Sequence, residues 1–437
     1  MNLLLLDLEL MVLICNMKRS FFYLSLTLIV LLSIITTLIF LFPANANCRQ
    51  INAGFNCSER LVQPYGIVSH VTRWGERYDY KLIDDEFRLC REIGINWVRA
   101  DFDFTTLFYD NGKVNVNTFD QVVDKALRNG LNVLPILTNF DAKNRAWHNF
   151  PNYYKYLDTL SNRYCGIIKY WETLNEIDLY KDKKNIEKYY FNFLKEVRNK
   201  MKSDCSDSKF LSSGFAGAES NLALSFFNSD LIDIFNFHYY GNYYDIIPVL
   251  DRYQNRFKIF NSNKEVWITE CGYSSITDST LVLSKNDAER IQAEILAPFF
   301  LTCFAYGINK VFWYNLRSFE GVDNNKEDHF GLMHNDLTPK PAFYAYKTLI
   351  QMCPNGSLRP TLFVDGNVTY AKWKRPDNMY VLSFWANSRR VIKIFNPNRV
   401  SIYSFVGKKI SNTRQYYDIS KEIVFFISKS PIEFDIK

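Results

Sequence analysis

Two glutamates stand at the ends of short apolar runs. Glu176 closes Trp171-Glu172-Thr173-Leu174-Asn175-Glu176, and Glu270 closes Val266-Trp267-Ile268-Thr269-Glu270. Comparable runs end at Arg99 and Asp101, at Asn139, at His238-Tyr239-Tyr240 and at Trp313. Two carboxylates with cationic, amide, phenolic and indole groups around them match what glycosidic bond cleavage requires. One carboxyl must be protonated to give a proton to the leaving oxygen, and the other must be ionised to attack or assist at the anomeric carbon. Either glutamate alone carries little. An Asn-Glu dipeptide is expected roughly once by chance in a chain of this length, and a lone Glu270 fits a strand-end salt-bridge partner. The weight comes from finding both at equivalent positions of one fold.

That fold is read from an alternation. Short β-rich apolar runs occur eight times from residue 66, at 66–71, 95–100, 131–137, 168–174, 210–215, 231–238, 265–270 and 310–315. Each is apolar enough to be buried on both faces. Helix-period segments lie between them, with Leu82, Ile83, Phe87, Cys90 and Ile93 on one stripe and Ile291, Ile295, Leu296 and Phe299 on another. Asp84 and Asp85 favour a helix N-terminal turn, and Gly94 and Gly130 stand where helices end. Eight such units predict an α/β chain built as a (β/α)8 TIM barrel, whose usual size is about 250 residues and whose active site lies at the carboxyl ends of the strands. A doubly wound sheet is the alternative, but no Gly-rich phosphate loop follows any strand. Beyond Pro354-Asn355-Gly356 the texture changes to strands at 368–373, 380–385, 391–395 and 423–427, separated by turn residues. The predicted organisation is an N-terminal segment over 1–46, the barrel over 47–353 and a small antiparallel β-sandwich over 354–437.

The chain of 437 residues is 48% hydrophobic and 22% charged, which excludes disordered, collagen-like and coiled-coil classes. Its net charge of +6 is diffuse, with no basic stripe, so no nucleic-acid partner is expected. No His/Cys/Asp spacing resembles a metal site, so neither metal nor cofactor is expected. Lys18 and Arg19 precede an apolar run over 21–42 that ends in Pro43-Ala44-Asn45-Ala46. This reads as a secretory signal cleaved after Ala46 or as an uncleaved membrane anchor, since about 20 apolar residues span a bilayer. Either way the basic pair places residues 47 onward outside the cytoplasm, secreted, periplasmic or membrane-anchored. Met17 also reads as a natural start. Of the nine cysteines, eight lie beyond Cys15. Cys165 precedes the fourth strand and Cys205 the fifth, which puts both near the barrel's amino-terminal face. Export then makes a disulfide between them an expectation, with Cα atoms about 4.4–6.8 Å apart.

The same residues resemble a known group. Trp171-Glu172-Thr173-Leu174-Asn175-Glu176 is similar to the strand-4 Asn-Glu signature of clan A retaining glycoside hydrolases, and Val266-Trp267-Ile268-Thr269-Glu270-Cys271-Gly272-Tyr273 to that clan's nucleophile segment. Asn236-Phe237-His238-Tyr239-Tyr240, Val311-Phe312-Trp313-Tyr314 and Trp97-Val98-Arg99 fit its strands 6, 8 and 2. Within the clan the chain looks most like family 39 and its cellulase-like relatives, including endoglycosidases of bacterial exopolysaccharide systems. The resemblance implies Glu176 as acid/base and Glu270 as nucleophile. It also implies that Asn175 binds the 2-hydroxyl of the reacting sugar, that Arg99 and Tyr240 orient Glu270, that His238 lines the wall and that Trp313 forms the floor. Asn139 belongs to the same group of strand-end sugar contacts. Thr173, Leu174 and Ile177 depart from the pattern, which often has an aromatic residue before Asn and a Pro after Glu.

Other polar residues read as structural. Glu172 lies deeper in its strand and is expected as a buried carboxylate. Asp101 and Asp103 read as structural or loop-forming, Glu219 and Glu320 as surface or subsite groups, and His329 and His334 as loop polarity. The reading is an exported retaining glycosidase acting on a poly- or oligosaccharide, with an endoglycosidase of exopolysaccharide implied by the resemblance. The alternatives are a transglycosylase and a non-catalytic carbohydrate-binding protein on a degenerate barrel.

Overall fold

The computed structural model describes residues 48–72, 82–104, 116–138, 150–180, 186–217, 221–276, 284–319, 325–411 and 414–437. Asn139, Glu219, Glu320 and the N-terminal segment over 1–46 lie outside them. Each of the eight apolar runs forms a strand: β1 (Tyr65–Val68), β2 (Trp97–Asp101), β3 (Asn132–Leu137), β4 (Tyr170–Thr173), β5 (Lys209–Leu211), β6 (Ile234–Tyr240), β7 (Glu265–Gly272) and β8 (Lys310–Trp313). They close in chain order into a parallel barrel, where Gly66 of β1 stands opposite both Trp97 of β2 and Phe312 of β8. A helix follows each strand: α1 (Ile83–Ile93), α2 (Asn117–Arg128), α3 (Phe150–Tyr164), α4 (Ile186–Asp204), α5 (Asn221–Ser225), α6 (Ile246–Ile259), α7 (Lys285–Tyr306) and α8 (Pro341–Met352). Among the described residues no helix is long and apolar enough to cross a membrane.

Local chemistry accounts for the helix bounds. In α1, Ile83, Phe87, Cys90 and Ile93 turn one face inward, and Asp84 and Asp85 sit in the first turn, where the helix dipole favours negative charge. Gly94 ends it at φ 90°, a left-handed conformation that an L side chain adopts only under strain. The side chain of Ser284 caps α7 by accepting from the backbone N–H of Asp287. Cys165 and Cys205 follow α3 and α4 and form the expected disulfide, with Cα atoms 5.6 Å apart.

The amino-terminal end of the barrel is plugged by rings. Trp97, Tyr170 and Trp267 pack together with centroids 5.1–5.7 Å apart. Lys310 lies over them, its ammonium 5.0 Å from the ring centroids of both Trp97 and Trp267. It donates to the carbonyl oxygens of Val62 and Gln63 at 3.0 and 3.3 Å. Burial pulls this ammonium down from 10.5 to about 8, against the opposing pull of Glu265. The folded value lies below the unfolded one, so between about 8 and 10.5 the unfolded chain binds more protons and stability rises with pH. Relative to Lys310→Met, the wild type is therefore expected to gain about 3 kcal/mol between pH 7 and pH 11. Paired denaturant titrations at the two pH values check this, and a difference that does not change with pH would refute it.

Beyond α8 the chain forms two antiparallel sheets. One places Val368–Lys374, Tyr380–Ala386, Val424–Ser428 and Ser401–Tyr403 side by side, and the other has Arg390–Ile394 between Tyr416–Ile419 and Phe434–Ile436. Leu382, Phe384 and Phe426 from the first sheet meet Ile392, Ile394 and Ile419 from the second in one apolar core, which makes a β-sandwich. The Trp373 indole donates to the Met352 carbonyl at 2.9 Å, and Tyr243 bonds Asn387 at 2.9 Å, tying the sandwich to the barrel.

Candidate active site

The carboxyl ends of β2, β4, β6 and β7 bring a charged network together. Arg99 is fully buried. It donates from Nε and Nη2 to the two oxygens of Glu172 at 2.6 and 2.9 Å, from Nη1 to Glu270 Oε1 at 2.5 Å, and from Nη2 to Asn175 Oδ1 at 2.8 Å. Glu172 Oε1 also accepts from Asn236 Nδ2 at 2.9 Å and Thr269 Oγ1 at 3.1 Å. A buried guanidinium is tolerated only with such pairing, which explains why β4 carries a carboxylate three residues before Asn175. Glu172 is thus the buried structural acid expected from its depth. Arg99 and His238 hold it below the usual carboxylate range despite its burial.

Glu270 takes its second oxygen to Tyr240, whose hydroxyl donates to Oε2. Burial acts to raise its pKa, but His238, Arg99 and the Tyr240 hydroxyl outweigh that and bring it down to about 2. His238 sits between the two glutamates. Its Nδ1 is 2.8 Å from Glu176 Oε1 and 3.5 Å from Glu270 Oε2, and its Nε2 lies 3.1 Å from Thr269 Oγ1. Burial would lower the imidazole, yet Glu270, Glu172 and Glu176 raise it to about 9. A protonated ring has both nitrogens as donors, so Nδ1 donates to Glu176.

The Glu176 side chain is 23% exposed and that of Glu270 8%, so Glu176 stands on the open side. One oxygen from each glutamate and a His238 nitrogen lie within 4.8 Å of one another. Among the described residues, these three have a spacing that could hold a metal. A divalent ion there would have to displace the proton that the facing carboxylates favour on the imidazole.

The backbone around Asn175 is unusual. Leu174 and Glu176 both have positive φ, 64° and 47°, a region that costs a non-glycine residue about 1–3 kcal/mol. The Leu174 N–H donates to the Leu137 carbonyl and the Glu176 N–H to the Ser213 carbonyl, holding the turn in place. This turn projects Asn175 and Glu176 over the barrel mouth together. Because Arg99 can only donate, Asn175 commits its carbonyl oxygen there, and the group it offers a ligand is its amide NH2. Gly214, at the end of β5, gives room to the network. A Cβ there would come 2.2 Å from His238 Nε2 and 2.7 Å from Glu172 Oε1.

Of the expected site residues, Arg99, Asn175, Glu176, His238, Tyr240 and Glu270 meet in this cluster. Asn139 lies outside the described residues. Trp313 is a correction. It is 1% exposed and stacks on Phe300 of α7 with centroids 6.4 Å apart, so it faces the helix layer and forms no floor. Phe312 and Tyr314 on either side of it join the barrel interior, as the alternation of side chains along a strand requires. Tyr314 takes the place at the site, its ring 5.8 Å from that of Tyr240. Two further residues escaped the sequence reading. His70 lies just past β1 within an apolar run that showed no strand-end cluster, and Gly214 follows two serines whose smallness was the available signal. Away from the cluster, Asp103 accepts from Thr138, and His334 lies 3.5 Å from Glu289.

No protein-family model and no curated protein matches the sequence. Solved structures do resemble it. A family 39 glycoside hydrolase from the gut symbiont Bacteroides cellulosilyticus WH2 shares 18% identity over 85% of this chain and 82% of its own, with a TM-score of 0.66. A family 39 β-xylosidase from Caulobacter crescentus shares 14% over 86% of this chain and 97% of its own, at 0.57. A family 30 subfamily 8 xylanase from Clostridium acetobutylicum shares 15% over 89% of this chain and 100% of its own, also at 0.57. The fold is therefore the one these clan A glycoside hydrolases share, as the strand signatures implied.

Proposed function

We propose that the protein is a retaining O-glycosidase that cleaves a poly- or oligosaccharide by double displacement. The observation that carries this reading is the pairing of an ionised, three-way-held Glu270 with a more exposed Glu176 across His238. Their nearest oxygens lie within 4.8 Å. Retaining enzymes place the two carboxyls about 5–5.5 Å apart, whereas inverting enzymes leave 6.5–9.5 Å for a water. In the first step a Glu270 oxygen bonds to the anomeric carbon as the glycosidic bond breaks, and Glu176 gives its proton to the departing oxygen. In the second, Glu176 takes a proton from water, whose oxygen displaces Glu270 from the sugar. Asn175 donates its NH2 to the 2-hydroxyl, while Arg99 and Tyr240 keep Glu270 charged and aimed.

A protein that only bound sugar would gain nothing from burying Arg99 and His238 among three carboxylates, since a buried charged network contributes little net stability. A panel of polysaccharides and aryl glycosides should show turnover, and NMR of the first product should show the substrate's own anomeric configuration. An inverted product, or no turnover on any substrate, would overturn the reading. A product carrying the sugar on an added acceptor would identify transglycosylation.

We also infer that residues 47–437 work beyond a membrane. The basic pair and apolar run over 18–42 support this, as does the Cys165–Cys205 disulfide, a bond of oxidising compartments. Protease added to intact cells, or to cells opened only at the outer surface, should reach the folded part. Soluble cytoplasmic protein that retains residues 17–46 would defeat the inference.

A further inference from the structure

Three side chains from three strand ends form a second hydrogen-bonded chain behind the cluster. His70, beyond β1, sets Nδ1 2.9 Å from Asp101 Oδ2 at the end of β2 and Nε2 3.1 Å from the Tyr314 hydroxyl beyond β8. All three are buried, at 3%, 2% and 9% exposure, too deep to be incidental surface contacts. An ionised Asp101 only accepts, so His70 Nδ1 carries a hydrogen and the ring's tautomer and tilt are fixed. That leaves Nε2 to meet Tyr314. The Tyr314 ring is thereby held edge-on to His70, to Tyr240 and to Phe330, at centroid distances of 5.3, 5.8 and 5.5 Å. Phe330 completes the clamp, 5.3 Å from Tyr240. Tyr240 is the residue whose hydroxyl reaches Glu270.

We propose that Asp101, His70 and Tyr314 form a buried strut that acts through the Tyr240 ring to hold Glu270 in its attacking position. Asp101 and His70 are then positioning residues for the reaction, and the inference rests on the glycosidase reading above. Polar groups this deep would be replaced by apolar packing at no loss if their only task were to fill space. The strut instead links the two strands that flank the β1 position, β2 and β8, to the ring that sets one of the acceptor bonds of Glu270. Loss of the strut frees the Tyr240 ring to tilt, which weakens its bond to Glu270 Oε2. The carboxylate then loses aim and part of what keeps it ionised at low pH.

Tyr314→Phe removes one oxygen and leaves the ring packing. His70→Asn keeps a donor toward Asp101 and is too short for Tyr314, whereas His70→Gln reaches Tyr314. On the glycoside that the wild type turns over, Tyr314→Phe and His70→Asn should each lower kcat about tenfold with KM nearly unchanged, the effect of one hydrogen bond. The double variant should be no slower than either single, because both break the same chain. The acid limb of the kcat/KM profile should move upward in Tyr314→Phe, toward that of Tyr240→Phe. In His70→Asn, loss of the imidazole's own pull on Glu270 adds to that shift, and His70→Gln should recover part of the lost kcat. Additive losses in the double variant, or an acid limb that stays in place in Tyr314→Phe, would overturn the strut. If His70→Asn does not fold, Tyr314→Phe alone decides through its acid limb. Failure of the glycosidase reading is distinguishable, because the wild type itself would then turn over nothing, and the inference would fall with it.

Discussion

Glu270→Gln is expected to abolish the covalent intermediate and to lower kcat by at least about 10⁴-fold, the scale on which loss of an enzymic nucleophile is felt. The amide keeps the shape of the carboxylate and can still accept from Arg99, but it cannot bond to the anomeric carbon. Shortening to Ala is a poorer experiment. It would remove the acceptor as well as the charge, leaving a buried Arg99 N–H without its partner, and an unsatisfied buried donor costs about 1–3 kcal/mol. Incubation with an activated 2-fluoro glycoside should add one glycosyl group to the wild type by intact mass, and none to Glu270→Gln. A variant that still acquires the label would move the nucleophile to another residue.

The acid side of the wild-type profile follows from the same group. With Glu270 held down to about 2, its carboxylate stays ionised well below the usual carboxylate range. Its folded value lies below the ordinary carboxylate value of 4.5. The stability it contributes is therefore fully present above about 4.5 and is lost as pH falls through about 2. The acid limb of the wild-type profile should accordingly follow protonation of Glu270 and lie at lower pH than that of Tyr240→Phe.

Glu176→Ala should fail differently. General acid/base help contributes about 10²–10⁴-fold, and the first step needs it only when the leaving group is poor. Substrates with natural sugar leaving groups should lose that full range, while dinitrophenyl glycosides should react at the first step nearly as in the wild type. The second step has no base in this variant, so glycosyl-enzyme should accumulate, and added azide should restore turnover by attacking without base assistance. The Glu176 exposure of 23% leaves a path for azide from the open side. His238 loses its contact with Glu176 but keeps Glu270 Oε2 at 3.5 Å, so the nucleophile stays opposed by charge. Equal impairment on activated and unactivated substrates would mean that the acid lies elsewhere. On the basic side, loss of activity is expected near pH 9 as His238 gives up its charge.

Much of this was legible in the residues themselves. Eight apolar runs spaced by helix-period stripes admit few folds, because a strand buried on both faces needs helices on both sides or helices on one side and a filled barrel on the other. The stripe of Ile83, Phe87, Cys90 and Ile93 and the break at Gly94 therefore read correctly as α1 and its end. Residue type at strand ends was enough to pick Arg99, Asn175, Glu176, His238, Tyr240 and Glu270, since each carries a group that apolar strands do not otherwise hold. The depth of Glu172 followed from its position within β4, four residues before Glu176.

Which way a side chain faces did not follow. Val311-Phe312-Trp313-Tyr314 is apolar throughout, and a run buried on both faces has no alternation to read. Register decides it. The β7–β8 pairing shifts between Ile268 and Cys271, and the β6–β7 pairing shifts between Phe237 and His238. Together with the alternation, this sets Trp313 outward against Phe300 and Tyr314 inward beside Tyr240. Pairings across the barrel were equally hidden. His70 and Asp101 meet because β1 and β2 are neighbours, and Lys310 lies over Trp97 and Trp267 because β8 closes on β1. Sequence thus determined which elements form and which chemical groups their ends carry, since those depend on local period and composition. The closed sheet decided which groups face one another, and with that the charge states of Glu270 and His238, because those depend on distances between strands far apart in the chain.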